Sequence, residues 1–154
     1  MSADTAADEF KLAFYEATKE LMAADPDTQE VMVSYGAPGS LDPEDVVAFL
    51  GVTSEQQAAS IGQRSRDEDL TIEVAISCFR GGLEDQELVC GQRAYQLLRM
   101  ITRYVRKTDT TVGGTVLWCF LQGHESTGQT DPQLIQQGRV IEITARFLAR
   151  ARIT

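Results

Sequence analysis

Hydrophobic and polar positions recur along this chain with two different periods, and the switches between them mark its elements. Phe10, Ala13, Phe14, Ala17 and Leu21 return at three- and four-residue spacing, the stripe that a helix buries on one side. This spacing predicts a first helix from Asp4 to Ala24, with Asp4, Asp8 and Glu9 near its positive N-terminal end. Asp25-Pro26 stops it, because proline disfavours helical geometry in the residue before it. A second stripe of Ala94, Leu97, Leu98, Ile101, Tyr104 and Val105 predicts a helix from Glu84 to Arg106, with Arg93, Arg99, Arg103 and Arg106 outside the stripe. Acids open that helix and Arg103, Arg106 and Lys107 close it, matching the helix dipole.

Elsewhere the period is two. Leu70, Ile72, Val74, Ile76 and Cys78 point one way and Thr71, Glu73, Ala75 and Ser77 the other, which predicts a strand over Leu70 to Phe79. A longer strand is expected over Arg139 to Ile153. Its core side is Ile141, Ile143, Ala145, Phe147, Ala149 and Ala151, and Glu142, Thr144, Arg146, Arg150 and Arg152 face out. Val31 to Tyr35 is a short candidate that leads into an Ala37-Pro38-Gly39-Ser40 turn. Asp45 to Val52 and Thr115 to Gly123 are apolar on both sides. Thr53 to Asp69 shows no apolar periodicity and reads as a seventeen-residue loop, a length uncommon outside functional segments. His124 to Gln137 reads as a second polar loop.

The element order is α-β-β-β-α-β-β. Turns and loops join adjacent strands, so those pairs are expected to be antiparallel. The predicted fold is a single two-layer α+β domain over residues 1–154, with a mainly antiparallel sheet of about five strands and both amphipathic helices on one face.

Composition adds limits. The chain has 154 residues, 43% hydrophobic and 24% charged, the profile of one globular domain. No run approaches the ~18 apolar residues needed to span a bilayer, so no membrane association is expected. The N-terminal Met1-Ser2-Ala3-Asp4 lacks the basic and apolar regions of a signal peptide. Three cysteines, Cys78, Cys90 and Cys119, form no close pair and point to a reducing compartment. The net charge of −9 disfavours a dedicated nucleic-acid binder. Residues 1–45 carry 11 acids and 2 lysines and so hold all of that excess, while residues 111–154 carry 3 acids and 4 bases. Such asymmetry suits self-assembly between unlike surfaces.

Catalytic signatures are sparse. No phosphate-binding glycine loop, dinucleotide fingerprint or nucleophile elbow occurs. Gly81-Gly82 and Gly113-Gly114 read as turn punctuation. His124, the only histidine, has Glu125 beside it, yet triad partners meet in space rather than in sequence. One histidine and three scattered cysteines make a poor zinc set. Cys78 and Cys119 are expected in strand cores, whereas the helical position of Cys90 allows more exposure. Asp67, Glu68 and Asp69 could do acid–base work or bind a cation, but beside Arg64 and Arg66 they read as a salt-bridged loop. No enzyme activity and no cofactor is expected.

Two features point to assembly. The 53–69 segment could order on a neighbouring subunit through Arg–carboxylate pairs. Arg146, Arg150 and Arg152 form a row on the outer side of the last strand, and two helices leave one sheet face for a partner to cover. The candidate inter-subunit residues are thus Arg64, Arg66, Asp67, Glu68, Arg146, Arg150 and Arg152.

Several stretches resemble the tail terminators of long-tailed actinobacteriophages and their prophages. They are Tyr35-Gly36-Ala37-Pro38-Gly39, Glu44-Asp45-Val46-Val47-Ala48-Phe49, Arg64-Ser65-Arg66-Asp67-Glu68-Asp69-Leu70-Thr71, Ser77-Cys78-Phe79-Arg80-Gly81-Gly82, Arg93-Ala94-Tyr95-Gln96-Leu97-Leu98, and Gln137-Gly138-Arg139 with Thr144-Ala145-Arg146. The likeness runs from about Phe14 to Ile153 and includes no catalytic or ligand motif. It implies a virion neck protein, assembled in the host cytoplasm. Copies of it would form a ring of six that caps the tail tube, stops tube polymerisation and meets the head–tail connector, and DNA would pass through without specific binding. The resemblance makes 53–69 the inter-subunit arm, with Arg64 and Arg66 its foremost contacts. A tail-completion or head-closure role is the alternative among neck proteins, and a small ligand-binding domain or enzyme using His124 is the alternative outside them.

Overall fold

The computed structural model describes residues 4–38, 44–59, 64–135 and 137–154. Helix α1 spans Ala7–Ala24, strand β1 Met32–Ser34, β2 Asp45–Ala58, β3 Arg66–Arg80, helix α2 Asp85–Arg103, β4 Trp118–Ser126 and β5 Arg139–Ile153. A π-helical turn, Tyr104–Thr108, extends α2, and a 3-10 turn, Pro132–Leu134, precedes β5. The five strands form one sheet in the order β1-β2-β3-β5-β4. This is the α+β arrangement that the periodicities predict, with one pair that differs from expectation. β1 and β2 are parallel, Met32 lying opposite Val46, and the other three pairs are antiparallel. The two strands run the same way, so they are not the two arms of a hairpin. Part of the expected 37–40 turn, Gly39 and Ser40, lies outside the described residues.

The largest correction concerns residues 53–69. Residues 53–58 and 66–69 are not a loop: β2 and β3 continue there as paired strands of a hairpin, with Thr53 opposite Thr71, Glu55 opposite Asp69 and Ala58 opposite Arg66. Residues 60–63 of that segment lie outside the described residues. The hydrophobic signal fails here for a physical reason. The inward positions of the hairpin are Ser54, Gln56 and Glu68, so the strands alternate polar with polar. β4 also starts later than expected, at Trp118. Before it, the Asp109 carboxylate accepts hydrogen bonds from the Thr111 and Gly113 amides, at 3.0 and 2.9 Å, and closes a tight turn. β4 then runs on to Ser126, which places His124 in a strand rather than a loop.

The core lies between the sheet and the two helices. Phe14 of α1 sits at its centre, with ring centroids 5.0 Å from Phe49 and 5.2 Å from Phe147, edge to face, and 5.8 Å from Phe10. α2 buries Cys90, Ala94, Leu97, Leu98 and Ile101 against β3 and β5, so Cys90 is as enclosed as Cys78 and Cys119. Every inward residue expected on β3 and β5 is buried. Gly138 lets β5 begin close to the end of β3. Its φ of +145° suits glycine, and a Cβ there would lie 2.6 Å from the Arg80 carbonyl oxygen and 2.7 Å from the Phe79 ring. Among the described residues, both helices lie on one face of the sheet, and no helix is long and apolar enough to cross a membrane.

Because Phe14 joins α1 to β2 and β5 at once, Phe14→Ala is expected to destabilise the fold by roughly 3–5 kcal/mol. Chemical denaturation followed by circular dichroism reads this directly.

Candidate assembly surface

The outer face of the sheet is built by register. β3 and β5 pair over fifteen positions, which sets Asp67 opposite Arg152, Asp69 opposite Arg150 and Glu73 opposite Arg146. All six are outward positions of strict alternation. The arginine row expected on the last strand is therefore present, and its partners lie in the same chain. Arg150 Nε donates to Asp69 Oδ1 at 2.8 Å, Arg152 Nε to Asp67 Oδ1 at 2.8 Å, and Arg146 lies 3.8 Å from Glu125 of β4. Exposed pairs of this kind contribute about 0–1 kcal/mol each, so they orient side chains more than they stabilise the fold.

At the β4 edge the same face turns aromatic. Trp118 and Phe120 stack with centroids 5.8 Å apart, and the Arg150 guanidinium lies 5.8 Å from the Trp118 ring centre. Phe120 is 43% exposed and Leu117, just before β4, 49%. The face thus passes from charged pairs on β3 and β5 to an apolar margin on β4. Arg64 is exposed and Arg66 half-buried beside the hairpin end, and neither has an ion-pair partner among the described residues.

Glu68 goes the other way. Alternation turns its carboxylate inward between two outward aspartates, and it is fully buried. It accepts the Ala6 amide at 2.7 Å, the Thr5 and Ser54 hydroxyls at 2.5 Å each and Gln56 Nε2 at 3.1 Å. Gln56 also donates to the Asp4 carbonyl at 2.7 Å. Burial by itself raises this carboxyl's pKa, but the four donors outweigh it and hold the pKa below the ordinary glutamate value. An anion also suits the positive start of α1, whose N-cap residue Ala6 supplies no side-chain cap. Glu68 is therefore an internal anchor between the hairpin and α1 and not an inter-subunit contact. The signal was available: extending the Leu70-Ile72-Val74 column back by two positions reaches Glu68.

A second charged cluster closes the opposite end of the sheet, and periodicity gave no sign of it. Asp45 at the start of β2 accepts from Arg80 of β3 at 2.7 Å and from Arg93 of α2 at 2.9 Å. Arg93 also reaches the Asp27 carboxylate at 3.0 Å and its carbonyl at 2.6 Å, and Gln96 donates to the same carboxylate at 2.7 Å. An open polar cleft of about 540 Å³ adjoins the cluster. Burial raises the Asp45 pKa, yet the two guanidinium groups outweigh it and keep the carboxyl ionised. Each charge in the cluster is matched by another, so it ties α2, β2 and β3 to the turn between α1 and β1.

The remaining reactive groups are quiet. Burial raises the pKa of all three thiols, that of Cys119 to about 12, so they stay protonated at neutral pH. His124 lies 3.2 Å from the Tyr95 hydroxyl, ring edge to face. Among the described residues, no three His, Cys, Asp or Glu side chains are placed to hold a metal ion.

Glu68→Ala leaves four donors without their acceptor and is expected to cost about 3 kcal/mol, measured by urea denaturation. The lowered pKa values of Glu68 and Asp45 fix the sign of the acid response. Their contribution is complete above the unfolded carboxyl values, near pH 4, and is lost as pH falls through the lower folded values. Melting temperature should therefore fall below about pH 4, and less steeply in Glu68→Gln. No protein-family model matches this chain and no curated protein is significantly similar to it, so a functional reading has to be built on this surface and on the sequence resemblance.

Proposed function

We propose that this chain is a structural virion protein, a tail terminator whose copies form a ring, with six the expected number, on the head-proximal end of the tail tube. The ring would stop tube polymerisation and join the tube to the head–tail connector. The observation that carries this reading is the one-sided sheet. Both helices cover a single face, and the other face ends in a margin of half-buried Trp118 and exposed Phe120 and Leu117. An apolar margin next to an open face is a surface that a protein partner covers.

The sheet edges support the same reading. β1 pairs with β2 only at Val46–Ala48, so β2 from Leu50 to Ala58 has no strand beside it on that side among the described residues. The outer edge of β4 is open in the same sense. Open edges template pairing with another chain. The β2–β3 hairpin takes the place of the arm that the resemblance assigns to 53–69, with Arg64 and Arg66 at its end as contacts.

The charge distribution fits a ring that DNA crosses without being held. The chain is acidic overall, and the arginines of the sheet face are already engaged by carboxylates. A lining of this kind offers phosphates few free cations.

Light scattering on the purified chain is expected to give about six times the 17.0 kDa protomer mass, with rings visible by electron microscopy and bound at tube ends. A monomer at high concentration that also leaves tube ends bare would overturn the proposal.

A further inference from the structure

Unpaired positive charge in this acidic chain is concentrated along one helix. From Gly91 to Thr108 the sequence holds five bases and no acid. Arg93 is engaged by Asp27 and Asp45, but Arg99, Arg103, Arg106 and Lys107 are exposed and make no ion pair among the described residues. Arg99, Arg103 and Arg106 line a hollow of about 330 Å³ between α2 and β4, with Leu121 and His124 on the strand side. The hollow continues past Tyr95 into a second one of about 600 Å³ beside Leu88 and Gly91. Together they follow α2 for roughly four turns, about 22 Å. The Thr102 hydroxyl, in the same lining, is buried without a hydrogen-bond partner.

The complementary surface is on α1. Asp8, Leu12 and Glu16 repeat every four residues on the side opposite the buried Phe10 and Phe14, and all three are exposed, Leu12 at 47%. The lysines do not break this ridge. Lys11 is drawn over the Tyr35 ring at 4.1 Å and Lys19 lies 5.7 Å from the Tyr15 ring centre. The ridge therefore presents an acid, an apolar residue and an acid, with the two acids two turns or about 12 Å apart, close to the interval from Arg99 to Arg106 along α2 and its π-helical extension.

Within one protomer the two surfaces are apart. α1 packs on β1 and β2 at one side of the sheet, whereas the groove borders β4 at the other. Resting on the ring reading above, we infer that the α2–β4 groove receives the α1 ridge of a second copy of this chain. Asp8 and Glu16 then meet the Arg99-Arg103-Arg106 row, and Leu12 enters the apolar floor near Leu121. Such a contact is head-to-tail, and contacts of that kind close into rings when the rotation permits.

The test uses the full chain at about 50 mM salt, where surface charges are screened least, with sedimentation velocity as the readout. The double variants Arg99→Glu/Arg103→Glu and Asp8→Arg/Glu16→Arg should each weaken self-association by at least about tenfold. An equimolar mixture of the two should restore it, because each altered surface then meets its opposite charge. Thermal melts control for folding. If either reversal unfolds the chain, Arg99→Gln/Arg103→Gln and Asp8→Asn/Glu16→Gln replace them, with partial loss expected. Wild-type assembly that neither pair of substitutions changes would overturn this interface and leave the ring reading standing. A wild-type chain that stays monomeric at high concentration and does not bind tube ends would remove both.

Discussion

The β3–β5 ladder runs for fifteen consecutive pairs without a bulge, and nearly every other feature inherits its geometry. An unbroken ladder fixes the face of each side chain over about 50 Å of strand. It sends Leu70, Ile72, Val74, Ile76 and Cys78 into the core beside Ile143, Ala145, Phe147 and Ala149. The same phase turns Glu68 inward and aligns Asp67 and Asp69 with Arg152 and Arg150 outside. A slip of one residue would expose the core column and bury four charges. The buried Glu68 contact with α1 and the Asp45 cluster near the other end penalise that slip further, since each satisfies its donors in one register only.

With register set, the two helices determine which face remains open. Each is amphipathic and each finds its apolar partner on the same side of the sheet. β3 and β5 answer with a polar outer face. β2 and β4 do not answer fully, because Val46 and Ala48 are buried beside outward Ser77 and Ala75, and Phe120 is left exposed. That imbalance is a property of side-chain placement and precedes any functional reading.

The helices and the two long strands were legible because burial writes a period into sequence, 3.6 for α1 and α2 and 2 for β3 and β5. Three things were not written that way. The β2–β3 hairpin is polar on both sides, so its inward residues satisfy hydrogen bonds instead of apolar contacts and leave no hydrophobic period. The parallel β1–β2 pair is a matter of relative strand direction, which no local hydrophobic pattern encodes. The Asp27-Arg93-Asp45-Arg80 cluster gathers residues up to 66 positions apart. Of the candidate contact residues, Arg146, Arg150 and Arg152 were placed on the correct face from alternation alone. Their partners needed the register, and Glu68 was misread because three adjacent acids look alike until alternation separates them.

Charge distribution makes the final link between fold and assembly. Copies of a chain with a net charge of −9 repel one another, so self-association needs attraction concentrated in specific places. This chain confines its acid excess to residues 1–45, while Arg99, Arg103 and Arg106, along α2 and its π-helical extension, make no ion pair among the described residues. The sheet holds these two regions at opposite sides, with α1 over β1 and β2 and the groove beside β4. In the proposed assembly each copy would use its ridge on one neighbour and its groove on another, and the repeat would close or continue according to the angle between them. In that assembly the strand order would thus do more than build a core: it would set the direction in which the next subunit is added.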